Sequence, residues 1–446
     1  MKSRKKNPYS YVTSVYTCLL ILYLLWFDDF GLTKITAAKR NAFYVLCAVY
    51  FASVLLIFLY RLLSKKSRFS DLAAFFRQTS WTQRLIGLYL LFTVISSLLS
   101  PYRSSVLLGA GRMEGLLTIL CYGIGFLLIS SFAQTKRWML WLFASVTVIF
   151  CLLGFLQRLN FNPLYLYPPY EAPAVYSKNF IATVGNVDHV AAFLCIAIPG
   201  FWVSMLRAEG NRRLLLLIPL ICSLVLLILI HVAAGIVGIV LGTALSLPVV
   251  IPSEKRTKTI LASVLLLLLL LCILALFFFD FSNKTLHQFH MVLHGQLKNS
   301  YGSGRIRIWK RVLKFIPGRL WFGYGPDTMA LTPIAKLDFK NAEQVVVKSE
   351  IIDAAHNEYL NILFHQGIFA LLSYLGALGT ALLRWVRHAK CNPTAAVLGA
   401  AVLTYCIQAF FGISQLICAP FFWCALALLD NSFRQKNRPF RIVSWR

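Results

Sequence analysis

A polar stretch from Asp280 to Ala355 interrupts an otherwise apolar chain, and the side chains able to do chemistry gather in it and just beyond it. It contains Ser303-Gly304-Arg305-Ile306-Arg307-Ile308-Trp309 and Gly323-Tyr324-Gly325-Pro326, and the next apolar run opens with His356-Asn357-Glu358-Tyr359-Leu360. His356 is the residue suited to move a proton near neutral pH. Asp353 reads as a helix N-cap, which would put His356 in the first turn. There the positive end of the helix dipole disfavours imidazolium and keeps the ring neutral. A neutral imidazole can take a proton from a hydroxyl, although a histidine at a helix start can equally serve structure alone.

Asn299 to Gly304 is turn material, with Ser303 placed to cap a helix over Arg305 to Ile316. Wound at about 100° per residue, that segment puts Arg307, Lys310, Arg311 and Lys314 on one basic face and Trp309, Val312, Leu313 and Ile316 on the other. Arg305 points into the apolar face. A guanidinium there needs an anion or several acceptors, unless the first turn frays and lets it reach water. Gly323-Tyr324-Gly325-Pro326 reads as a tight turn, without the strand–helix context of a nucleotide loop. His287, His290 and His294 flank an apolar stripe on an amphipathic, interfacial helix. No acidic residue interleaves them as a zinc site would want, so no metal and no cofactor is expected.

The elements that must position these residues are apolar helices. Of 446 residues, 59% are hydrophobic and 13% charged, which excludes an ordinary soluble domain. Twelve segments approach the ~20 residues that cross a bilayer: 11–27, 41–62, 83–100, 115–133, 138–156, 188–206, 213–230, 232–251, 259–279, 356–383, 393–411 and 414–430. Separating the seventh from the eighth requires a break near His231-Val232-Ala233-Ala234-Gly235. The expected architecture is an all-α polytopic membrane protein. Helices 1–9 occupy residues 1–279, one extracytoplasmic loop domain spans 280–355, and helices 10–12 with a basic tail fill 356–446.

Charge sets the orientation. Placing both termini inside puts 26 of the 44 Lys and Arg, but only 4 of the 16 acids, on that side. This is the bias of cytoplasmic loops, and it predicts a cytoplasmic-membrane protein with the polar stretch outside. The net charge of +28 then reports topology and contact with a lipid bilayer, not nucleic acid. Ten of the eleven cysteines fall within apolar spans and read as small packing residues rather than disulfide or metal partners.

The ordered set of motifs resembles the O-antigen ligase / O-antigen polymerase family. The resemblance rests on Ser303-Gly304-Arg305-x-x-Ile308-Trp309, Phe322-Gly323-Tyr324-Gly325-Pro326 and His356-Asn357-Glu358-Tyr359-Leu360 leading to Gly367. Upstream, Gly109-Ala110-Gly111-Arg112-Met113-Glu114-Gly115-Leu116 and Thr183-Val184-Gly185-Asn186-Val187-Asp188-His189 are similar to two further signatures.

That resemblance implies a helical glycosyltransferase fold of the GT-C-like kind. It implies transfer of a glycan from a polyprenyl-diphosphate carrier to a glycan or lipid acceptor outside the cytoplasmic membrane. The family's loop arginine maps onto Arg305 and its base onto His356, and Asn186, Gly323, Gly325, Asn357 and Tyr359 fall in matching motifs as substrate-binding candidates. Two departures stand out. Val232-Ala233-Ala234-Gly235 occupies the place of the family's Ser-Arg-Gly-Ala, and Val187-Asp188 that of Pro-Asn. Arg112, or Lys39 with Arg40, is then expected to supply the missing positive charge at the donor headgroup.

Chemistry supports the same reading: nucleotide sugars are not supplied outside the membrane, whereas a lipid diphosphate carries its own activated leaving group. The rival class is a transporter or flippase of lipid-linked sugars. That would call for ionisable residues within several spans and for paired internal repeats.

Overall fold

The computed structural model describes residues 7–28, 34–64, 78–166, 182–251, 254–340 and 346–434. The basic segment Lys2–Lys6, part of the run between Arg61 and Arg84, and the tail beyond Arg434 lie outside them. In chain order the helices are α1 (Pro8–Leu22), α2 (Ile35–Leu63), α3 (Trp81–Leu99), α4 (Leu116–Phe132), α5 (Arg137–Arg158), α6 (Val187–Arg207), α7 (Asn211–Ile230) and α8 (Ala233–Val250). They continue with α9 (Lys255–Phe278), α10 (Lys284–Leu293), α11 (Arg305–Phe315), α12 (Glu358–His388), α13 (Pro393–Ala409) and α14 (Ala419–Arg434). Among the described residues, nine helices are long and apolar enough to cross a membrane, and α4 and α13 are shorter apolar helices. The protein is a multi-pass helical membrane protein. It is not wholly α: β1 (Lys336–Lys340) and β2 (Val346–Ile351) form an antiparallel hairpin within the polar stretch.

Each of the twelve apolar segments carries a helix, and the seventh and eighth part where the composition suggests. His231 adopts a left-handed conformation (φ 53°) between α7 and α8. The packing core runs through α6 and α14, most of whose side chains are buried. Helix α9 is the opposite case, with no buried residue among those described. One end of the bundle is tied by Asp430, 0% exposed, which accepts from Arg384 at 2.7 Å, Ser80 at 2.9 Å and Ser130 at 2.5 Å. This end joins the start of α3 to the ends of α4, α12 and α14. The start of α12, the end of α3 and the start of α4 are therefore at the other end, with the polar loop.

Helix α12 is not one straight rod. Gly367 (φ 84°, ψ −179°) breaks it into a short first piece and a long second one. The Tyr374 hydroxyl donates to Glu358 Oε1 at 2.6 Å. Sixteen residues of straight helix would separate the two by about 24 Å, so the chain bends sharply between them. The tenth apolar segment, 356–383, is thus not a single continuous span.

The peptide groups freed at the bend are satisfied by the loop. Tyr324 N donates to Phe364 O at 3.0 Å, Gly325 N to His365 O at 2.8 Å, and Ile368 N to Leu320 O at 2.9 Å. Irregular backbone is tolerated inside a membrane protein when it is paired in this way. A Cβ on Gly367 would collide with the Trp321 carbonyl, and one on Gly323 with the His365 carbonyl. Gly367→Ala is therefore expected to cost roughly 3 kcal/mol or more, because both the backbone conformation and the close approach exclude a side chain. Thermal unfolding in detergent should show it. An unchanged midpoint would mean that the loop does not dock in this break.

Candidate active site

Two loops, 109–115 and 323–327, build the site at the loop end of the bundle together with α11 and the start of α12. The first loop, 109–115, wraps around the Asp327 carboxylate. Asp327 accepts backbone N–H bonds from Gly111 at 3.2 Å, Arg112 at 2.8 Å and Glu114 at 3.2 Å. The Asp327 carbonyl accepts from Ala110 N at 2.9 Å. Gly109 (φ 89°) has no room for a Cβ against Asp327, which explains the glycine there. Burial pushes the Asp327 carboxyl up to about 6, while the three N–H donors favour its charged form and oppose the rise. Two motifs distant in sequence, 109–115 and 323–327, are thus one structural unit with Arg112 at its rim.

The second component is α11. Its apolar side packs Val312 and Ile316 against Met329, Ile334, Ile352 and Phe364, so the loop shares its core with the start of α12. Gly304 (φ 85°), not Ser303, stands at the N-cap and makes no side-chain cap bond. Ser303 itself is left-handed (φ 56°), because the turn needs positive φ at both residues.

Trp309 donates from Nε1 to Ala355 O at 2.8 Å. Asn361 Oδ1 accepts from Ala355 N at 3.1 Å. Ala355 is therefore held from both sides, immediately before His356. Arg305 lies one turn before Trp309 on the same face, and this docking sets its guanidinium within electrostatic reach of His356. Arg305 Nη1 donates to Gly302 O at 3.1 Å, while its Nε is shielded from solvent and has no hydrogen-bond partner.

The third component is the start of α12. Asn357 is the N-cap, with its side chain accepting from Leu360 N at 3.0 Å. Asp353 does not cap this helix: it pairs with Arg112 at 2.7 Å. His356 precedes the cap in a left-handed conformation (φ 50°) and is not in the first helical turn. Burial is the chief reason its ring is held below the usual imidazole range, followed by the charges of Arg305 and Arg112. Asp188 and Asp353 pull the other way. The neutral ring expected from the helix dipole thus has a different main cause.

The remaining residues of His356-Asn357-Glu358-Tyr359-Leu360 are anchors. Glu358, 4% exposed, accepts from Tyr374 and, at 3.2 Å, from Tyr405. Tyr359 donates to Cys406 O at 2.7 Å. These three bonds fix the first piece of α12 to its second piece and to α13.

Asn186 caps α6, accepting from Asp188 N at 2.7 Å. That cap sets Asp188 and the buried His189 within the electrostatic reach of His356 and, for His189, of Arg112. Beneath the Arg112–Asp353 pair lies a polar cavity of about 40 Å³, bordered by Glu114, Asp327, Glu358 and His365, with room for a few waters. Burial raises the Glu114 carboxyl to about 8, opposed by the 2.7 Å bond from Tyr122.

Not every candidate reaches this place. Lys39 is 0% exposed, and its ammonium donates to Tyr23 O and Leu24 O, both at 2.9 Å. It closes the end of the α1 segment, as a lysine can at a helix C-terminus, and is thereby spent. Arg40 donates to its neighbour Asn41 at 3.1 Å. Gly323 and Gly325 seat the loop against α12 and α3 instead of lining the site. Of the candidates, Arg305, Arg112 and His356 are brought together. Asp327, Asp353 and His189 were missed as site residues; an acid directly after Gly325-Pro326 is the one local signal that pointed to Asp327.

Fold and site together define a multi-pass helical membrane protein in which the polar loop and the 109–115 loop each bring one arginine, Arg305 and Arg112, within electrostatic reach of His356 at an end of the bundle. Residues 218–375, which include Arg305 and His356, match the family model described as O-Antigen ligase. The chain is also 25% identical over 379 residues to the Teichuronic acid biosynthesis protein TuaE of Bacillus subtilis (strain 168), covering 78% of this chain and 70% of that one. The chain is therefore similar to O-antigen ligases over the part that carries Arg305 and His356, and to a polysaccharide-biosynthesis protein over most of its length.

Proposed function

We propose that this protein is a membrane glycosyltransferase that moves a glycan from a polyprenyl-diphosphate carrier to an acceptor glycan or lipid on the outer side of the cytoplasmic membrane. The observation that carries the reading is that Arg305, on the helix tied to Ala355 through Trp309, and Arg112 both act electrostatically on His356. His356 takes the proton of the acceptor hydroxyl. The hydroxyl oxygen then attacks the anomeric carbon opposite the diphosphate, the bond from carbon to phosphate oxygen breaks, and the configuration inverts. Charge growing on the leaving diphosphate is met by Arg305, whose Nε lacks a protein partner, and by Arg112. Arg112 takes over the role of the arginine absent at Ala233, with Asp353 holding it in place. No metal enters this scheme.

The distribution of basic residues supports the sidedness. Arg384 pairs with Asp430, Arg434 donates to Gln83, and Arg207 donates to Ala389 O, so these cations collect at the end opposite His356. A cytoplasmic location for that end follows the positive-inside bias.

Purified protein in liposomes containing a synthetic polyprenyl-diphosphate oligosaccharide and an acceptor glycan should yield the elongated glycan and free polyprenyl diphosphate. Movement of the lipid-linked glycan between leaflets with no new glycosidic bond would replace this reading with that of a flippase.

A further inference from the structure

At the end of the bundle remote from His356, α9 stands off from the other helices and packs mainly against α8 and α10. Not one of its described residues is buried. The gap this leaves is a groove of about 420 Å³, walled by Pro248 and Val249 of α8, Lys258, Ala262 and Leu266 of α9, and Val386 of α12. That volume is in the range of a ligand site. Its walls are mostly apolar, with the Thr259 and Ser263 hydroxyls on the α9 side, and at the rim Lys258 reaches Val249 O at only 3.4 Å.

The rim is strongly cationic. Arg207 donates to Val250 O at 2.6 Å and Ala389 O at 3.2 Å, which pins the ends of α8 and α12 beside the groove. Its Nε remains shielded and unpartnered. Arg207 Nη1 also reaches Lys390 O at 3.4 Å, and the charges of Lys390 and Arg207 act on Lys258; Glu254, one turn before Lys258 at the N-cap of α9, is the nearest acid in sequence. Three like charges at the mouth of an apolar slot repel one another unless an anion joins them. An amphiphile whose anionic head sits at the rim and whose chain fills the slot meets both requirements.

We propose that this groove is a binding site for an anionic phospholipid, with one acyl chain between α8, α9 and α12 and the phosphate at Lys258, Arg207 and Lys390. Apolar burial holds the chain, and the charge of the rim selects the headgroup. The site lies away from the candidate active site and does not depend on the proposed glycan transfer.

Native mass spectrometry of the full-length protein, titrated in detergent with phosphatidylglycerol and phosphatidylcholine, tests it. Phosphatidylglycerol should bind at least tenfold more tightly than phosphatidylcholine. Lys258→Glu should abolish that preference, and Ala262→Trp, which fills the slot, should weaken both lipids. Arg305→Ala, at the other end of the protein, should leave the preference intact. Inorganic phosphate at millimolar concentration should not displace the lipid. Equal binding of the two lipids to the wild type, an undiminished preference in Lys258→Glu, or displacement by phosphate would each overturn the assignment.

Discussion

His356→Ala should lower turnover by about 10²–10⁴-fold, the usual loss when a general base is removed, while the donor still binds. The structure permits the substitution, because the neighbours that hold the segment are Trp309, Asn357 and Asn361 rather than the imidazole. The pH dependence follows from the direction of the shift. Burial, with Arg305 and Arg112, holds the ring below its ordinary value of 6.5, so the neutral form prevails at pH 7 and above. The rate should therefore be level there and decline as the pH falls below 6.5, where the ring gains its proton. A chelator should leave the rate unchanged. Turnover left unchanged by His356→Ala, or a rate that rises as the pH falls, with chemistry shown to limit the rate, would leave His356 a structural residue and move the base elsewhere.

Arg305→Ala and Arg305→Lys should each reduce transfer by about 10²–10³-fold, the scale found when one donor to a developing negative charge is lost. Lysine fails because a point ammonium cannot reproduce the planar fork of a guanidinium against phosphate oxygens. Arg311→Ala, on the basic face of α11, should keep most of the activity. The comparison separates a specific contact from general attraction between the loop and an anionic substrate. If Arg311→Ala were the more damaging of the two, the orientation of α11 would be wrong. A donor-binding measurement on both Arg305 variants distinguishes lost affinity from lost transition-state stabilisation.

The helices were legible because apolarity over twenty residues is a strong signal, and the His231 break was legible because it interrupts a run too long for one span. The bend in α12 was hidden for the same reason. Leu360 to Leu383 is apolar enough on average to read as one span, although Asn361, His365 and Gln366 interrupt it just before Gly367, and a lone glycine in such a run says little. Arg305 and His356 could be singled out since each sits where its chemistry is costly or useful. The tasks of Lys39, Asp353 and Asp327 could not, as each depends on a partner far away in sequence: the carbonyls of Tyr23 and Leu24, Arg112, and the backbone of 111–114. Asp353 has the residue type of a cap, but Arg112 competes for its carboxylate and Asn357 takes the cap position. The hairpin could have been suspected from the alternation in Lys336-Leu337-Asp338-Phe339-Lys340.

The broken helix also has a consequence for biogenesis. Phe364, His365 and Ile368 find their backbone partners in residues 320–325, a segment that is synthesised earlier and, in the proposed topology, must already be across the bilayer when α12 arrives. Membrane insertion alone therefore does not finish α12. Maturation has a second stage in which the exported loop returns to dock. A chain that failed at this stage would display unpaired peptide groups at the membrane surface, a feature that quality-control proteases could read before any substrate was met.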